Sequence, residues 1–263
     1  MTTLDATHDR ELRSWVASAN IKGCDFPIKE YWMNVRMGLI RKKPEWTTDD
    51  FRAYWRDKHG PLAARAPGLR EYWQNPVIDR LQRGIDFARG PWDFDGFSQL
   101  YFDDALQADH AFGKSNMAAE LIADEKRFLG DLHIITTVQH VVVPVPAPPK
   151  RQALLKRIST LKRRSDVSED DFRREWVVHR DLVLKMPGIA GYRQNVVIAR
   201  ERIKGQPCSY DELPIDGIVE LWFEDATTLE AAFASPAGRS TMKHAQTFLA
   251  EITAFVVEEH RVM

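Results

Sequence analysis

The chain has 263 residues, 44% of them hydrophobic and 29% charged, enough apolar material for one large domain or two of ordinary size. Its formal net charge of −1 provides no global field toward nucleic acid or an acidic membrane surface. The two cysteines, Cys24 and Cys208, lie far apart and form neither a metal-spaced nor a redox motif, which fits a reducing, cytoplasmic compartment.

The first stretch, MTTLDATHDRELRSW, is polar and lacks the apolar segment of a secretory signal; RELRSWVASA can form a short helix, and residues 1–31 read as an extension. WMNVRMGLI (32–40) alternates in the manner of a strand. TTDDFRAYWRDKHGPLAAR reads as a helix, with Thr47 or Thr48 as its N-cap and acidic residues in its first turn. Gly60-Pro61 is expected to distort or terminate that helix, and Pro67-Gly68 to end it. YWQNPVI (72–78) and GFSQLYF (96–102) are the next strands. A helix from Ala105 to Leu129, broken near Gly113-Lys114-Ser115, precedes a fourth strand, LHIITTVQHVVV (132–143). No apolar run reaches the length of a membrane span.

The chain then repeats itself. HGPLAARAPGLREYWQN (59–75) and HRDLVLKMPGIAGYRQN (179–195) share His, Leu, Pro, Gly, Tyr, Gln and Asn in register. Phe51 and Trp55 match Phe172 and Trp176 once one residue is dropped before His179, and DGFSQLYFDDA (95–105) matches DGIVELWFEDA (216–226). Phe128-Leu129 and His140 likewise correspond to Phe248-Leu249 and His260. The repeats are 32–145 and 151–263, joined within the proline-rich PVPAPPK (144–150) by a linker over 146–150. Each has the order βαββαβ, which in the second copy falls at 153–163, 168–186, 190–199, 216–223, 225–249 and 251–259. The fold class is α+β: two ferredoxin-like repeats packed sheet to sheet. The basic run KRISTLKRRSD (156–166) reads as a solvated strand edge.

A helix with Phe-x3-Trp, then His-Gly-Pro-Leu, Pro-Gly-Leu and an aromatic strand ending in Gln-Asn resembles the EthD domain family, and both copies carry the resemblance. It implies a dimeric α+β barrel, here fused into one chain, and small-molecule chemistry with no obligatory cofactor. Proteins of this barrel class include dehydratase-like proteins, lactone isomerases, cofactor-free decarboxylases and monooxygenases, and some haem-binding enzymes. The second copy departs from the motif: His179 is followed by Arg180-Asp181-Leu182, not Gly-Pro-Leu.

His59 leads the catalytic candidates, because histidine is the side chain that most readily exchanges a proton near neutral pH. The alternative is a helix-end histidine bonded to backbone groups. Tyr72 and Gln74 share one face of their strand and Trp73 and Asn75 the other; Tyr72 is read as a catalytic residue that orients or protonates the substrate, and Gln74, Trp73, Trp92 and Phe94 as substrate-binding residues. The counterparts Tyr192 and Gln194 join the substrate-binding set, and Asn75 and Asn195 read as holding a strand-end turn. His133, against Thr253 in the other copy, reads as a diverged pocket wall or a core histidine, and His179 as a weaker catalytic candidate. His140 and His260 read as structural or surface residues, while His110 and His244 fall on the second helices. Phe87, Trp92 and Phe94 make the 80–95 connection either a lid over an aromatic ligand or a segment packed on the barrel exterior.

No phosphate loop, metal-spaced cluster or nucleophile elbow is present in the sequence. The reading that follows is a cofactor-independent lyase, with no metal, acting on an apolar aromatic or polycyclic small molecule by decarboxylation, dehydration or a related elimination. A non-catalytic carrier of an aromatic ligand, a cofactor-free isomerase or monooxygenase, and a haem-binding barrel are the alternatives. Neither nucleic acid nor membrane is expected as a partner, and a homodimer of the fused unit is left open.

Overall fold

The computed structural model describes residues 33–103, 107–108, 111–112 and 117–263. The N-terminal extension with Cys24, His110 and the helix break near Gly113-Lys114-Ser115 lie outside the described residues.

Strand β1 (Met33–Lys42) opens the first repeat, and helix α1 (Thr48–Tyr54) follows it. Thr47 caps α1 by accepting the Asp50 N–H at 3.1 Å, and Asp49 and Asp50 face the positive end of the helix dipole. The helix does not stop at Gly60-Pro61. It widens into a π turn, Trp55–His59, and resumes as α2 (Gly60–Ala63), with Pro61 in its first turn. Pro61 cannot complete an i→i−4 hydrogen bond and its ring crowds the carbonyl four residues back, so the chain accommodates it by opening the preceding turn. Gly68, at φ +77°, makes the left-handed turn into β2 (Glu71–Asp79). Strand β3 (Gly96–Phe102), helix α3 (Met117–Phe128) and strand β4 (Leu129–Val143) complete the repeat.

A short 3-10 turn, Lys150–Ala153, leads into β5 (Leu155–Arg163), α4 (Glu169–Val183) and β6 (Gly191–Ile203). The two-residue β7 (Gln206–Pro207), β8 (Gly217–Phe223), α5 (Ala226–Ala234), α6 (Pro236–Phe248), β9 (Leu249–Val257) and β10 (His260–Arg261) follow. The helix expected over 225–249 is thus two helices. Ser235 is extended and its hydroxyl accepts the Gly238 N–H, while Pro236, at the first helical position, needs no donor.

The eight long strands run in the order β2-β3-β1-β4-β6-β8-β5-β9, and β9 returns to β2. Every pairing is antiparallel, and the repeats join edge to edge at β4–β6 and at β2–β9. The two ferredoxin-like sheets therefore close into one α+β barrel with helices outside, and closure covers the strand edges that would otherwise invite aggregation. This corrects the reading of the basic run 156–166. Strand β5 lies between β8 and β9, and Lys156 and Arg157 at its start are buried. Lys156 points inward to Glu220 on β8 and to Glu259, which follows β9. Arg157 on the outer face donates to the Gln82 and Arg83 carbonyls, and burial lowers its pKa to about 9.

Antiparallel alternation puts both long connections, 80–95 and 204–216, at the same barrel end. Phe94, Leu213 and Ile215 fill it together with Phe97, Ile218 and Phe255. The first connection is strapped to β9 of the second repeat: Gly90 N–H donates to Thr253 Oγ1 at 2.9 Å and Gln82 Nε2 to the Ile252 carbonyl at 2.8 Å. Neither a lid nor an exterior packing segment describes Trp92 and Phe94, which plug the barrel from below. On the outer face Trp55 lies flat over Gly96, where a Cβ would stand 2.5 Å from the indole, and Trp176 lies over Gly217 in the same way. Phe51 stacks on Trp55 at 5.6 Å and meets Phe128 at 5.8 Å, so emptying the Trp55 site would cost about 3–5 kcal/mol. Among the described residues, no helix is long and apolar enough to cross a membrane.

Candidate active site between helix and sheet in the first repeat

Strand alternation sorts the candidate residues onto opposite faces of the sheet. Tyr72 and Gln74 lie under the helices, whereas Trp73 and Asn75 point into the barrel. Gln74 Nε2 donates to the Trp55 carbonyl at 2.7 Å and to the Tyr72 hydroxyl at 3.1 Å. The same carbonyl accepts the Gly60 N–H that closes the π turn. Gly60 makes this approach possible, since a Cβ there would stand 2.9 Å from Gln74 Nε2. Burial pushes the Tyr72 phenol far above its ordinary pKa, so it stays protonated. With Gln74 donating to its oxygen, the Tyr72 hydroxyl hydrogen is left to donate elsewhere.

His59 is buried, at 7% exposure, where α1 and α2 meet α3. Its ring packs on Phe128 at 5.2 Å and its Nδ1 lies 2.9 Å from Asp124 Oδ2. The hydrogen bond from His59 holds the Asp124 carboxyl below its usual pKa, and Tyr54 donates to Asp124 Oδ1 at 2.6 Å. An ionised carboxylate can only accept, so Nδ1 carries a proton, and in the neutral ring this tautomer puts the lone pair on Nε2. A carboxylate-oriented imidazole of this kind can act as a base. A groove of about 520 Å³, lined by Trp46, Tyr54, Asp57 and Lys58 among others, runs beside the cluster.

The second repeat holds the same frame with different chemistry. Gln194 Nε2 donates to the Trp176 carbonyl at 3.0 Å and to the Tyr192 hydroxyl at 2.8 Å. The stretch from Trp176 to His179 is one residue shorter and stays α-helical, so the π turn is the extra residue of the first repeat. His179 has His244 where His59 has Asp124, with the two Nδ1 atoms 3.3 Å apart. Burial and then His244 lower the His179 pKa to about 3, and His244 Nε2 pairs with Glu175 at 3.3 Å. His179 is therefore neutral at working pH and lacks an orienting carboxylate. His244 sits at a helix–helix contact. The layer around Tyr72 is also lined by smaller side chains: Ala63, Ala66 and Ala108 stand where the second repeat has Val183, Met186 and Leu229.

The other candidates lie inside the barrel. His133 meets Trp92 at 5.7 Å and Phe94 at 6.4 Å, so these three do come together, at the lower end. Burial, opposed by Asp131, keeps the His133 pKa below normal. Trp73 lies at the upper end, its ring covered by the Arg151 guanidinium at 3.8 Å. Asn75 and Asn195 hold no strand-end turn. Asn75 accepts from Lys156 Nζ at 3.0 Å, and Asn195 donates to Glu220 at 2.9 Å. Lys156 is the centre of this network, 2.7 Å from Glu220, 3.0 Å from Glu259 and 2.9 Å from Gln99. Burial alone would raise Glu220 and Glu259, but Lys156 and nearby arginines outweigh it and hold both carboxyls low. His140 on β4 is partly buried, its pKa lowered to about 4 by burial and Arg180, and His260 is exposed on β10. Among the described residues, no group of three or more His, Cys, Asp or Glu is placed to hold a metal.

A sequence profile of the EthD domain matches residues 43–131 and again 164–251, more than half of the chain. The chain belongs to the EthD domain family. This EthD chain is 26% identical to a 4-carboxymethyl-4-methylbutenolide mutase from Pseudomonas reinekei over 106 residues, 40% of the chain and 98% of the relative. Its fold is similar to that of an anthrone oxidase-like protein, with a TM-score of 0.61 at 7% identity over 89% of this chain and 94% of that one. It is also similar to an EthD family protein from Bacillus halodurans C-125, with a TM-score of 0.32 at 21% identity over 40% of this chain and 95% of that one.

Two groups of EthD residues escaped the sequence reading. Asp124 is one helical turn before Phe128, on the same face, and its exchange for His244 between copies marks it as a site that has diverged. The barrel centre shows the same signal at inward positions: Val35 against Lys156, Gln99 against Glu220, and Gln139 against Glu259.

Proposed function

We propose that this EthD chain is a cofactor-independent proton-transfer enzyme, acting in the helix–sheet layer of the first repeat on a small molecule with an enolisable carbonyl and an apolar body. The observation that carries the reading is the Asp124–His59 pair, which leaves His59 Nε2 as a base and is replaced by two facing histidines in the second repeat. His59 Nε2 takes a proton from the carbon beside the carbonyl and returns it to another carbon. The Tyr72 hydroxyl donates a hydrogen bond to the oxygen on which negative charge gathers. Ala63, Ala66 and Ala108 make the layer around Tyr72 less bulky than its counterpart with Val183, Met186 and Leu229, and the apolar body of the substrate is assigned to that side.

Isomerisation is the preferred outcome, supported by the mutase relative, whose name describes rearrangement of a carboxylate-bearing unsaturated lactone. Dehydration, one form of the lyase reading, shares the first proton abstraction and differs in the fate of the carbanion, whereas decarboxylation forms the carbanion by loss of carbon dioxide and then takes up a proton. Incubation with a panel of unsaturated lactones and aromatic keto acids, followed by proton NMR, separates the two: an isomerase conserves mass, whereas a lyase releases water or carbon dioxide. Absence of any converted compound, with binding still seen by tryptophan fluorescence, would favour a carrier and overturn the proposal.

A further inference from the structure

The upper end of the barrel interior holds more donors than acceptors. Three cationic side chains, Lys156, Arg151 and Arg193, surround the Trp222 ring with their charged centres 4.8, 5.6 and 5.3 Å from its centroid. Among the described residues two carboxylates, Glu220 and Glu259, face them, and Lys156 pairs with both. Glu259 accepts from Arg151 at 2.7 and 2.9 Å, from Trp222 Nε1 at 3.0 Å and from Lys156 at 3.0 Å. Glu220 Oε1 accepts from Asn195 at 2.9 Å, while Oε2 is ion-paired with Lys156 at 2.7 Å and has no aligned hydrogen-bond donor among the described residues. Against this, Gln99 Nε2, Trp73 Nε1 and Arg193 Nε are buried donors with no hydrogen-bond partner among the described residues. Gln99 and Trp73 are cross-strand partners on β3 and β2, and Arg193 reaches the same patch by donating to the Tyr101 hydroxyl at 3.0 Å.

Unmet buried donors cost about 1–3 kcal/mol each, so something accepts from them. A water molecule could give one hydrogen to Glu220 Oε2, but it would leave three cations facing two carboxylates. A ligand that only accepts, and is negatively charged, matches both the donors and the excess of cations. We infer that the upper barrel interior binds a small carboxylate, clasped by Gln99, Trp73 and Arg193 and balanced by Lys156. The route in is a groove of about 610 Å³ between the repeats, whose wall includes Arg151 and Glu259. Arg151, stacked on Trp73 and paired with Glu259, stands between groove and clasp. This site is on the opposite face of the sheet from His59, so it stands or falls independently of the proposed chemistry there.

The test is titration of the full chain with sodium acetate at constant ionic strength, with sodium chloride as the balancing salt, read by tryptophan fluorescence and thermal unfolding. Saturable quenching and a rise in Tm with acetate, absent with chloride, are expected. Gln99→Leu should weaken acetate at least tenfold. Trp73→Phe, which removes the indole N–H and keeps a ring, should do the same by Tm and decides the matter if the first variant does not fold. Equal responses to acetate and chloride, no saturable response, or unchanged acetate affinity in a folded variant would overturn the site.

Discussion

Replacing Lys156 by methionine removes the cation at the centre of the barrel while keeping a chain of similar length. Its ammonium is fully buried and lies within 3.0 Å of Glu220, Glu259, Asn75 and Gln99. Without it Glu220 keeps only amide donors, and a carboxylate buried without its cation costs about 3–5 kcal/mol. With a urea dependence of about 2–3 kcal/mol per molar for a chain of this size, the unfolding midpoint should fall by about 1–2 M. The pH dependence follows from the depressed carboxyls. In the wild type, Glu220 and Glu259 titrate below their ordinary 4.5, so their stabilising contribution is present above that pH and is lost as pH falls through the folded values. In Lys156→Met Glu259 keeps Arg151, but Glu220 loses its largest charge partner and burial works against its ionisation, so the deficit should be largest at neutral pH and shrink toward pH 4. Adding Glu220→Gln should recover at least about 1 kcal/mol, the coupling expected of groups in contact. Urea unfolding at pH 7 and pH 5, followed by circular dichroism, measures all of this. A pH 7 midpoint within about 0.3 M of wild type would refute the assignment of Lys156 as the keystone of the interior.

Three further outcomes are expected at the outer site. Asp124→Asn leaves His59 with an amide that can hold the wrong tautomer, so turnover should fall at least about tenfold with little loss of stability; wild-type turnover would remove the dyad from the mechanism. Ala66→Met installs the side chain of the second repeat, and should raise KM or abolish turnover while Tm holds or rises; unchanged kinetics would place the substrate elsewhere. His179→Gln should leave turnover unchanged but flatten the pH dependence of stability. Its pKa is lowered to about 3 in the folded chain, against an ordinary 6.5, so the unfolded chain binds the extra proton and wild-type stability is lost as pH falls below about 6.5. A urea midpoint profile from pH 7.5 to pH 5 reads this directly, and a slope equal to wild type would contradict it.

Much of the barrel was legible because the chain carries its pattern twice. The recurrence of His, Pro-Gly, Tyr and Gln-Asn set the βαββαβ order, and the split of Tyr72 and Gln74 from Trp73 and Asn75 followed from strand alternation. What alternation cannot say is which face the helices cover. The catalytic and substrate-binding candidates consequently mixed two sides of one sheet, with Trp73, Trp92 and Phe94 inside the barrel and Tyr72, Gln74, Tyr192 and Gln194 under helices. Lys156 and Arg157 were misread for a related reason: a basic run looks like a solvated edge until the βαββαβ order places β5 in the middle of its own sheet, between β8 and β9. The residue missing between Trp176 and His179 was visible as a gap. Only the backbone shows that its counterpart is a π turn; the Gln-to-Trp carbonyl bond itself forms in both repeats, with the π turn and without it.

The central claim is that His59 moves a proton on a carbon acid, and solvent exchange tests it without waiting for net turnover. Compounds of the lactone and keto-acid panel that bind are incubated with enzyme in deuterium oxide, and deuterium at the carbon beside the carbonyl is followed by NMR. Wild-type protein should incorporate deuterium, and His59→Ala, folded by circular dichroism, should do so at least about tenfold more slowly. Equal rates in the two proteins would contradict the account.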